Sequence, residues 1–317
     1  MSFYSEPIHW MKLAVDSVLT QSFKDFEFII ICDNPEYAEG ITYIKDIGDD
    51  RIRLIVNEKN LGPTKSFNAA IATAKGEYIA RMDADDICLP ERFERQVEYL
   101  DTHSEVSVCA TDTHLIDKDG NIRQRNCYRK KKDQELNFIS NSIAHPSVMF
   151  RRSLLELRNP VYNEEYIYSQ DYELWTYLIL HGHRIHRLDQ TLLLYRKTNS
   201  QITSAKGKTQ GMLFKKAHRS LITNWLLNHD IIRNDEKEDL ETMVKKASCA
   251  FNNVRKEDRK SLVYIIYILY FSLVSLDWRY RFRYLTDRNL IFLRMRYVFT
   301  YRLLFAKKSR RESIGLI

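Results

Sequence analysis

Glycine and proline are scarce in this chain, nine and six of 317 residues. That scarcity excludes collagen-like, Pro-rich and Gly/Ser-linker architectures and leaves a chain made mostly of regular elements. No Gly-x-Gly-x-x-Gly follows the first expected strand, and Gly-x-x-x-x-Gly-Lys-[Ser/Thr] does not occur. Their absence argues against a dinucleotide dehydrogenase and against a P-loop enzyme. The five cysteines (Cys32, Cys88, Cys109, Cys127, Cys249) are odd in number, widely spaced and form no Cys-x-x-Cys pair. A reduced, cytosolic protein is therefore expected, not a disulfide scaffold. The opening residues carry Glu6 and Pro7 in place of a basic patch and an apolar run, so no secretory signal is expected. The most apolar stretch, between Lys260 and Asp277, holds about 16 residues, short of the ~20 that cross a bilayer.

What is present is ample apolar material, 44% of residues, enough for a full core. The length predicts one large α/β domain plus an appendage. The net charge of +7 is unevenly placed: residues 255–317 hold 15 Lys/Arg against 5 Asp/Glu, so the first 254 residues are net acidic. The basic tail suggests an anionic partner, a membrane surface or nucleic acid.

Along the chain, Met1–Tyr4 reads as the end of a strand. Glu6-Pro7 opens a helix with Ile8, Met11, Val15, Val18 and Leu19 on one face. Phe26–Ile31 is a strand rich in β-formers, closed by the turn Cys32-Asp33-Asn34-Pro35. A short helix over 37–46, a strand over 51–56 and a helix over 64–75 follow. Alternation of this kind predicts a parallel sheet with helices on both faces and ligands at the carboxyl ends of its strands. After Pro90 come a helix with Phe93, Val97 and Leu100 inward, a strand near 106–110, and a hairpin around Asp119-Gly120. His145–Phe150 reads as a further strand, and a helix starts at Ser169. The triplet His181, His183 and His186 lacks the four compact ligands a structural zinc site needs.

The chemistry concentrates where the apolar run 78–82 meets Asp83-Ala84-Asp85-Asp86 and the Leu89-Pro90 stop. Carboxylates one residue apart in a turn can converge, and their oxygens suit Mg²⁺ or Mn²⁺. A bare Asp-x-Asp is also a common solvated turn. Asp171 is similarly open: a carboxylate in a first helical turn complements the helix dipole, or serves as a general base on a rigid element. Spacing alone favours the dipole role.

Taken together, the blocks 17–31, Asn60-Leu61-Gly62, Lys75–Pro90, His145-Pro146-Ser147, Gln170–Trp175 and Leu194-Tyr195-Arg196 resemble the family 2 glycosyltransferases, inverting enzymes of GT-A fold. The resemblance runs over residues 1 to about 203. It implies a Rossmann-like, mostly parallel sheet in a domain 1–203, followed by a basic, mostly helical region 204–317. It also implies site roles. Ser2 and Tyr4 would pack on the nucleotide base and Asp33 would hydrogen-bond it, with Cys32 where members often carry a second acid. Lys65 would approach the diphosphate, and Asp83 the ribose or the metal's water shell. Asp85, shared with Asp86, would ligate a divalent cation, and Asp171 would be the catalytic base. Members of the family usually carry several more apolar residues before the equivalent of Met1–Tyr4, so either the true start lies upstream or this chain has a shortened central strand.

The implied reaction moves a sugar from a UDP- or dTDP-sugar to a hydroxyl of a glycan or lipid-linked acceptor in surface polysaccharide synthesis. A nucleotidyltransferase of related fold is the alternative, though Ser5-Glu6-Pro7-Ile8 lacks its Gly-rich basic loop; a silent nucleotide-sugar-binding scaffold is another. The tail predicts helices over 205–229, 236–250 and 257–276. From Trp278 onward arginines interleave with aromatics, a pattern suited to an anionic membrane surface. A cytoplasmic protein, peripheral at the inner face of the membrane and binding no nucleic acid, is expected.

Overall fold

The computed structural model describes residues 1–125, 143–198 apart from 182, 207–232, and a few positions from 242 to 250. The expected boundary at 203/204, the basic cluster at 129–132 and the tail beyond 250 lie outside the described residues. The chain divides into two compact units, 1–221 and 222–317.

Unit 1 begins with strand β1 (Ser2–Phe3), helix α1 (Ile8–Leu19), strand β2 (Phe28–Cys32) and helix α2 (Ala38–Asp46). Strand β3 (Ile52–Val56) and helix α3 (Pro63–Thr73) follow. Apolar residues at helical spacing decide the face of α1: Met11, Ala14, Val15 and Val18 are all buried. A large side chain such as Met11 or Val15 contributes about 1.5–3 kcal/mol on burial. β2 is buried along its whole length and lies between β1 and β3, parallel to both. This is the parallel, helix-covered sheet that the alternation predicts.

The next elements are strand β4 (Tyr78–Ala80), strand β5 (Ile87–Cys88), helix α4 (Arg92–Thr102) and the long strand β6 (Val106–Ile116). Strand β7 (Ile122–Gln124) closes the hairpin on β6, and the loop Asp117–Asn121 turns through Gly120 at φ 88°. Then come a 3₁₀ turn (His145–Ser147), strand β8 (Met149–Arg151), the short helix α5 (Leu154–Leu157) and helix α6 (Gln170–Leu180). Strand β9 (Arg184–Arg196) and helix α7 (Gly207–Asn228) complete the described elements. The second sheet has the order β4-β8-β6-β9-β5. It is mixed: β6 and β9 are parallel, whereas β4–β8, β6–β8 and β5–β9 are antiparallel. A single parallel bridge, Ser2 with Asp83, joins the two sheets.

Two local expectations change. The strand expected over 145–150 begins only at Met149, because Pro146 has no N–H for a ladder and the preceding residues close a 3₁₀ turn. The strand expected over 78–82 ends at Ala80. Past it the backbone is held from below by Arg92, whose fully buried guanidinium donates to Arg81 O (2.8 Å) and Val148 O (3.2 Å). Gln96 beside it donates to Cys109 O and Ser147 O. Carbonyl acceptors thus satisfy a buried cation that faces no carboxylate in these bonds.

A pocket of about 760 Å³ opens beside Met1, Phe28, Ile29, Tyr78 and Ala80.

Candidate active site

The bridge between Ser2 and Asp83 brings the carboxyl ends of β1, β2 and β4 side by side. Just past β4, Asp83, Asp85 and Asp86 each offer a carboxylate oxygen, all within 4.8 Å of one another. Asp83 is ion-paired with Arg81, whose guanidinium stacks 4.7 Å over the Phe67 ring. Asp86 is fully buried. Burial, with the charges of Asp85 and Asp83, pushes its carboxyl well above the usual range. One Asp86 oxygen accepts the Arg196 amide at 2.7 Å, and the other has no hydrogen-bond partner among the described residues. Three converging carboxylates, one with an orphaned buried oxygen, fit a divalent cation, which would offset the like-charge repulsion that helps raise Asp86.

Arg196 organises this turn from the end of β9. Its Nε donates to Asp85 O (2.8 Å), and its Nη1 donates to Asp117 O (2.8 Å) and Lys118 O (3.1 Å). Its guanidinium lies 5.0 Å over the Trp10 ring, while Trp10 Nε1 donates to Lys118 O. The acidic turn, the β6–β7 hairpin and α1 therefore share one buried cation.

Asp33, after β2, is placed next to β1 by its own amide, which donates to Phe3 O at 2.8 Å. Its carboxylate is 4% exposed and accepts three N–H groups: Asn57 Nδ2 (2.7 Å), Leu61 N (2.8 Å) and Gly62 N (2.8 Å). Gly62 sits at φ 83°, a turn that favours glycine and aims its amide at Asp33. Asp33 therefore holds the loop leading into α3. Tyr4 is 45% exposed immediately past β1. Lys65, in the first turn of α3, is exposed with its ammonium 3.8 Å from Glu164.

Asp171 lies in the first turn of α6. Its charge reaches the buried Tyr162 hydroxyl, as does that of Asp83. Burial first, then those two carboxylates against the pull of Arg81, raises the Tyr162 phenol. Tyr162 also hydrogen-bonds His145 Nε2 at 2.7 Å. Burial and the nearby Arg81 drive His145 well below its ordinary pKa, so the ring is neutral. The Tyr162 backbone is clamped in both directions by the Asn68 amide.

Glu6 joins the site although nothing in its sequence setting marks it. Its carboxylate accepts the Tyr4 and Ser5 amides (2.7 and 3.1 Å). Burial, together with the charge of Asp83, raises its pKa even though those bonds pull it down. An acid beside Pro7 reads as a helix opener, and only the fold brings it to the acidic turn. Arg81 is hidden the same way, as one basic residue in an apolar strand. The three histidines near the start of β9 go to separate tasks: His183 Nδ1 pairs with Ser107 Oγ, His186 stacks on Tyr99, and His181 bonds Tyr177 O.

The family model for glycosyl transferase family 2 matches residues 1–158. An uncharacterized glycosyltransferase of Methanocaldococcus jannaschii is 34% identical over 230 residues, which cover 71% of this chain and 78% of that one. The chain belongs to glycosyl transferase family 2. Relatives of this family 2 glycosyltransferase include the amylovoran biosynthesis glycosyltransferase AmsE of Erwinia amylovora, 27% identical across 62% of this chain and 74% of its own length. The O-antigen biosynthesis glycosyltransferase WbnJ of Escherichia coli is 29% identical across 60% and 75%. Among solved structures, S. aureus TarS 1–349 in complex with UDP-GlcNAc superposes with a TM-score of 0.56 over 85% of this chain and 79% of that one. At 18% identity that likeness speaks for the GT-A fold. No described helix is long and apolar enough to cross a membrane.

Proposed function

We propose that this glycosyltransferase inverts: it moves a sugar from a UDP- or dTDP-sugar to a hydroxyl of a glycan or lipid-linked acceptor during surface polysaccharide synthesis. The observation that carries this reading is the acidic turn past β4, where Asp83, Asp85 and Asp86 each bring a carboxylate oxygen within 4.8 Å of the others. The charges of Asp171 and Asp83 both reach the buried Tyr162 hydroxyl, which supports a base and that turn working in one cleft. The names of AmsE and WbnJ support polysaccharide as the product class, and the TarS complex supports a UDP-sugar as donor.

In the proposed reaction Asp171 accepts the proton of the acceptor hydroxyl as that oxygen attacks the anomeric carbon. Its place at a helix start, where the dipole favours a carboxylate, suits it to that role. The nucleoside diphosphate departs from the opposite face, so the configuration inverts. Ser2 and Tyr4 would flank the base, with Asp33 shaping that pocket through the 57–62 loop. Lys65 would stand toward the diphosphate, and Asp83 toward the ribose. Asp85 and Asp86 would hold a Mn²⁺ or Mg²⁺ ion, which when bound neutralises charge on the leaving diphosphate. This is one base and one cation site, unlike the paired carboxylates of a glycoside hydrolase.

The test is a panel of UDP- and dTDP-sugars with Mn²⁺, following release of the nucleoside diphosphate with and without glycan acceptors. Turnover abolished by EDTA and by Asp171→Asn supports the reading. Absence of any donor binding across the panel overturns it. We also propose that residues 255–317, with 15 Lys/Arg, dock on an anionic membrane from the cytoplasmic side. The full chain should co-sediment with vesicles containing phosphatidylglycerol and not with purely zwitterionic ones; equal sedimentation with both would contradict docking.

A further inference from the structure

We propose that the first half of α7 is part of the catalytic apparatus: Gln210 latches the turn before α6 and thereby sets the position of Asp171. This rests on the reading of Asp171 as the base. The turn Asn163–Ser169 folds on itself, with Tyr166 N donating to Asn163 O and Ser169 N to Tyr166 O. Tyr168 within it adopts φ 75°, a left-handed conformation uncommon for a side chain of that size. Such a conformation persists only where the surroundings over-determine it.

The surroundings here are α7. Gln210 Nε2 donates to Tyr168 O at 2.8 Å, on the left-handed residue itself. One and two helical turns on, Leu213 and Ala217 pack with Tyr166 and Tyr172 in one small apolar cluster. Lys216 adds an ion pair to Glu165 (3.2 Å) and sits 5.0 Å from the Tyr166 ring centre. Tyr172 is 1% exposed and adjoins Asp171 in sequence, so the packing that holds its ring also sets the rotation of the first turn of α6. Glu173, two residues on, is held by Arg158 at 3.0 Å. The two residues after Asp171 are thus both anchored, one of them by a helix that follows the whole α/β domain in sequence. The exposed Lys216–Glu165 pair contributes little, being solvent-screened. Gln210 and the Tyr172 contact carry the effect.

Gln210 is a positioning residue, since it acts through Tyr168 and not on the substrate. The experiment compares Gln210→Met, which keeps the bulk and loses the donor, with Gln210→Lys, which keeps a donor. Each is measured in the full chain for kcat and donor KM on the UDP-sugar turned over, and for the Kd of UDP alone. The expected result for Gln210→Met is a fall in kcat of roughly 10-fold, with UDP affinity within about 2-fold of the parent, since misplacing a reacting group costs rate and not ground-state binding. Gln210→Lys should restore most of the loss. Unchanged kcat in Gln210→Met, while Asp171→Asn is inactive, overturns the latch alone. A parallel loss of UDP affinity shows general loosening and also overturns it. Full activity in Asp171→Asn would remove the base assignment, and the latch with it.

Discussion

The two halves of the α/β region hold their acids by different means. In the β1–β2–β3 half, parallel ladders run without register breaks, and Asp33 stands where β2 ends, its backbone fixed to β1 by its amide on Phe3 O. Asp83, just past β4, is bridged to that half through Ser2 and ion-paired with Arg81. In the β4–β9 half, the β6–β9 ladder shifts register near Val106, Thr111 and Asp112. There Asp171 is carried on a helix whose first turn is held by Arg158 and by side chains of α7. The acids at strand ends suit binding, where charge near a point is enough. The packed helix suits a base, which needs direction as well as distance.

Removing the proposed base should separate those roles most widely. Asp171→Asn should lower kcat by about 10²–10⁴-fold, the usual worth of a general base, leaving UDP affinity nearly unchanged by calorimetric titration. A matched loss of affinity would erase the distinction between the halves. Asp85→Ala should next abolish stabilisation by Mn²⁺, which for the parent reaches about 2.7 kcal/mol at a hundred times Kd. Thermal unfolding with and without the ion reads it out, and a retained shift would place the cation elsewhere.

Arg196→Lys probes the join between the halves, because Arg196 ties the acidic turn to the hairpin and to Trp10. Lysine keeps the charge but cannot serve three carbonyls in that planar arrangement. Mn²⁺ affinity should fall about 10–100-fold, the range for residues that orient ligands, as read by the electron paramagnetic resonance of free Mn²⁺. Asp33→Asn should destabilise the chain by about 1–3 kcal/mol in urea unfolding, since a buried amide group then loses its acceptor. An Asp33→Asn chain of full stability but without UDP binding would make Asp33 a pure ligand contact.

A weaker response is expected from acid. Asp49 is held at about 2 by side-chain and backbone hydrogen bonds from Arg51, below its ordinary 3.8. A depressed carboxylate contributes stability that is present above 3.8 and is lost as pH falls through about 2. Asp49→Asn should therefore lower the melting temperature slightly at pH 6 and by much less near pH 2. An equal difference at both values would remove the ion pair as its cause.

Much of the first half is legible in the residues themselves. Met11, Val15 and Val18 mark the buried face of α1, and Phe26–Ile31 marks β2 to within two residues. Repeating periodicity and turn residues are local signals. The second half is less legible: His145–Ser147 reads as a strand and folds as a 3₁₀ turn, and nothing near residue 196 signals that its guanidinium reaches Asp85 and Asp117. Glu6 leaves no mark because Asp83, whose charge it feels, lies far along the chain. Arg81 leaves none because a basic residue near an acid is commonplace, and its ion pair with Asp83 depends on where β4 ends.

Local chemistry along the chain is enough to specify the helix faces, the parallel ladders with acids at their ends, and membership in a family of sugar-transferring enzymes. Each of these is written in residues a few positions apart, where side-chain period and turn chemistry act directly. Folding alone settles that Asp83, Asp85 and Asp86 converge, that Asp33 is engaged by the 57–62 loop, and that Gln210 bonds the turn before Asp171. The last two join segments brought together only when the sheets close, and long-range packing leaves no periodic mark along a chain.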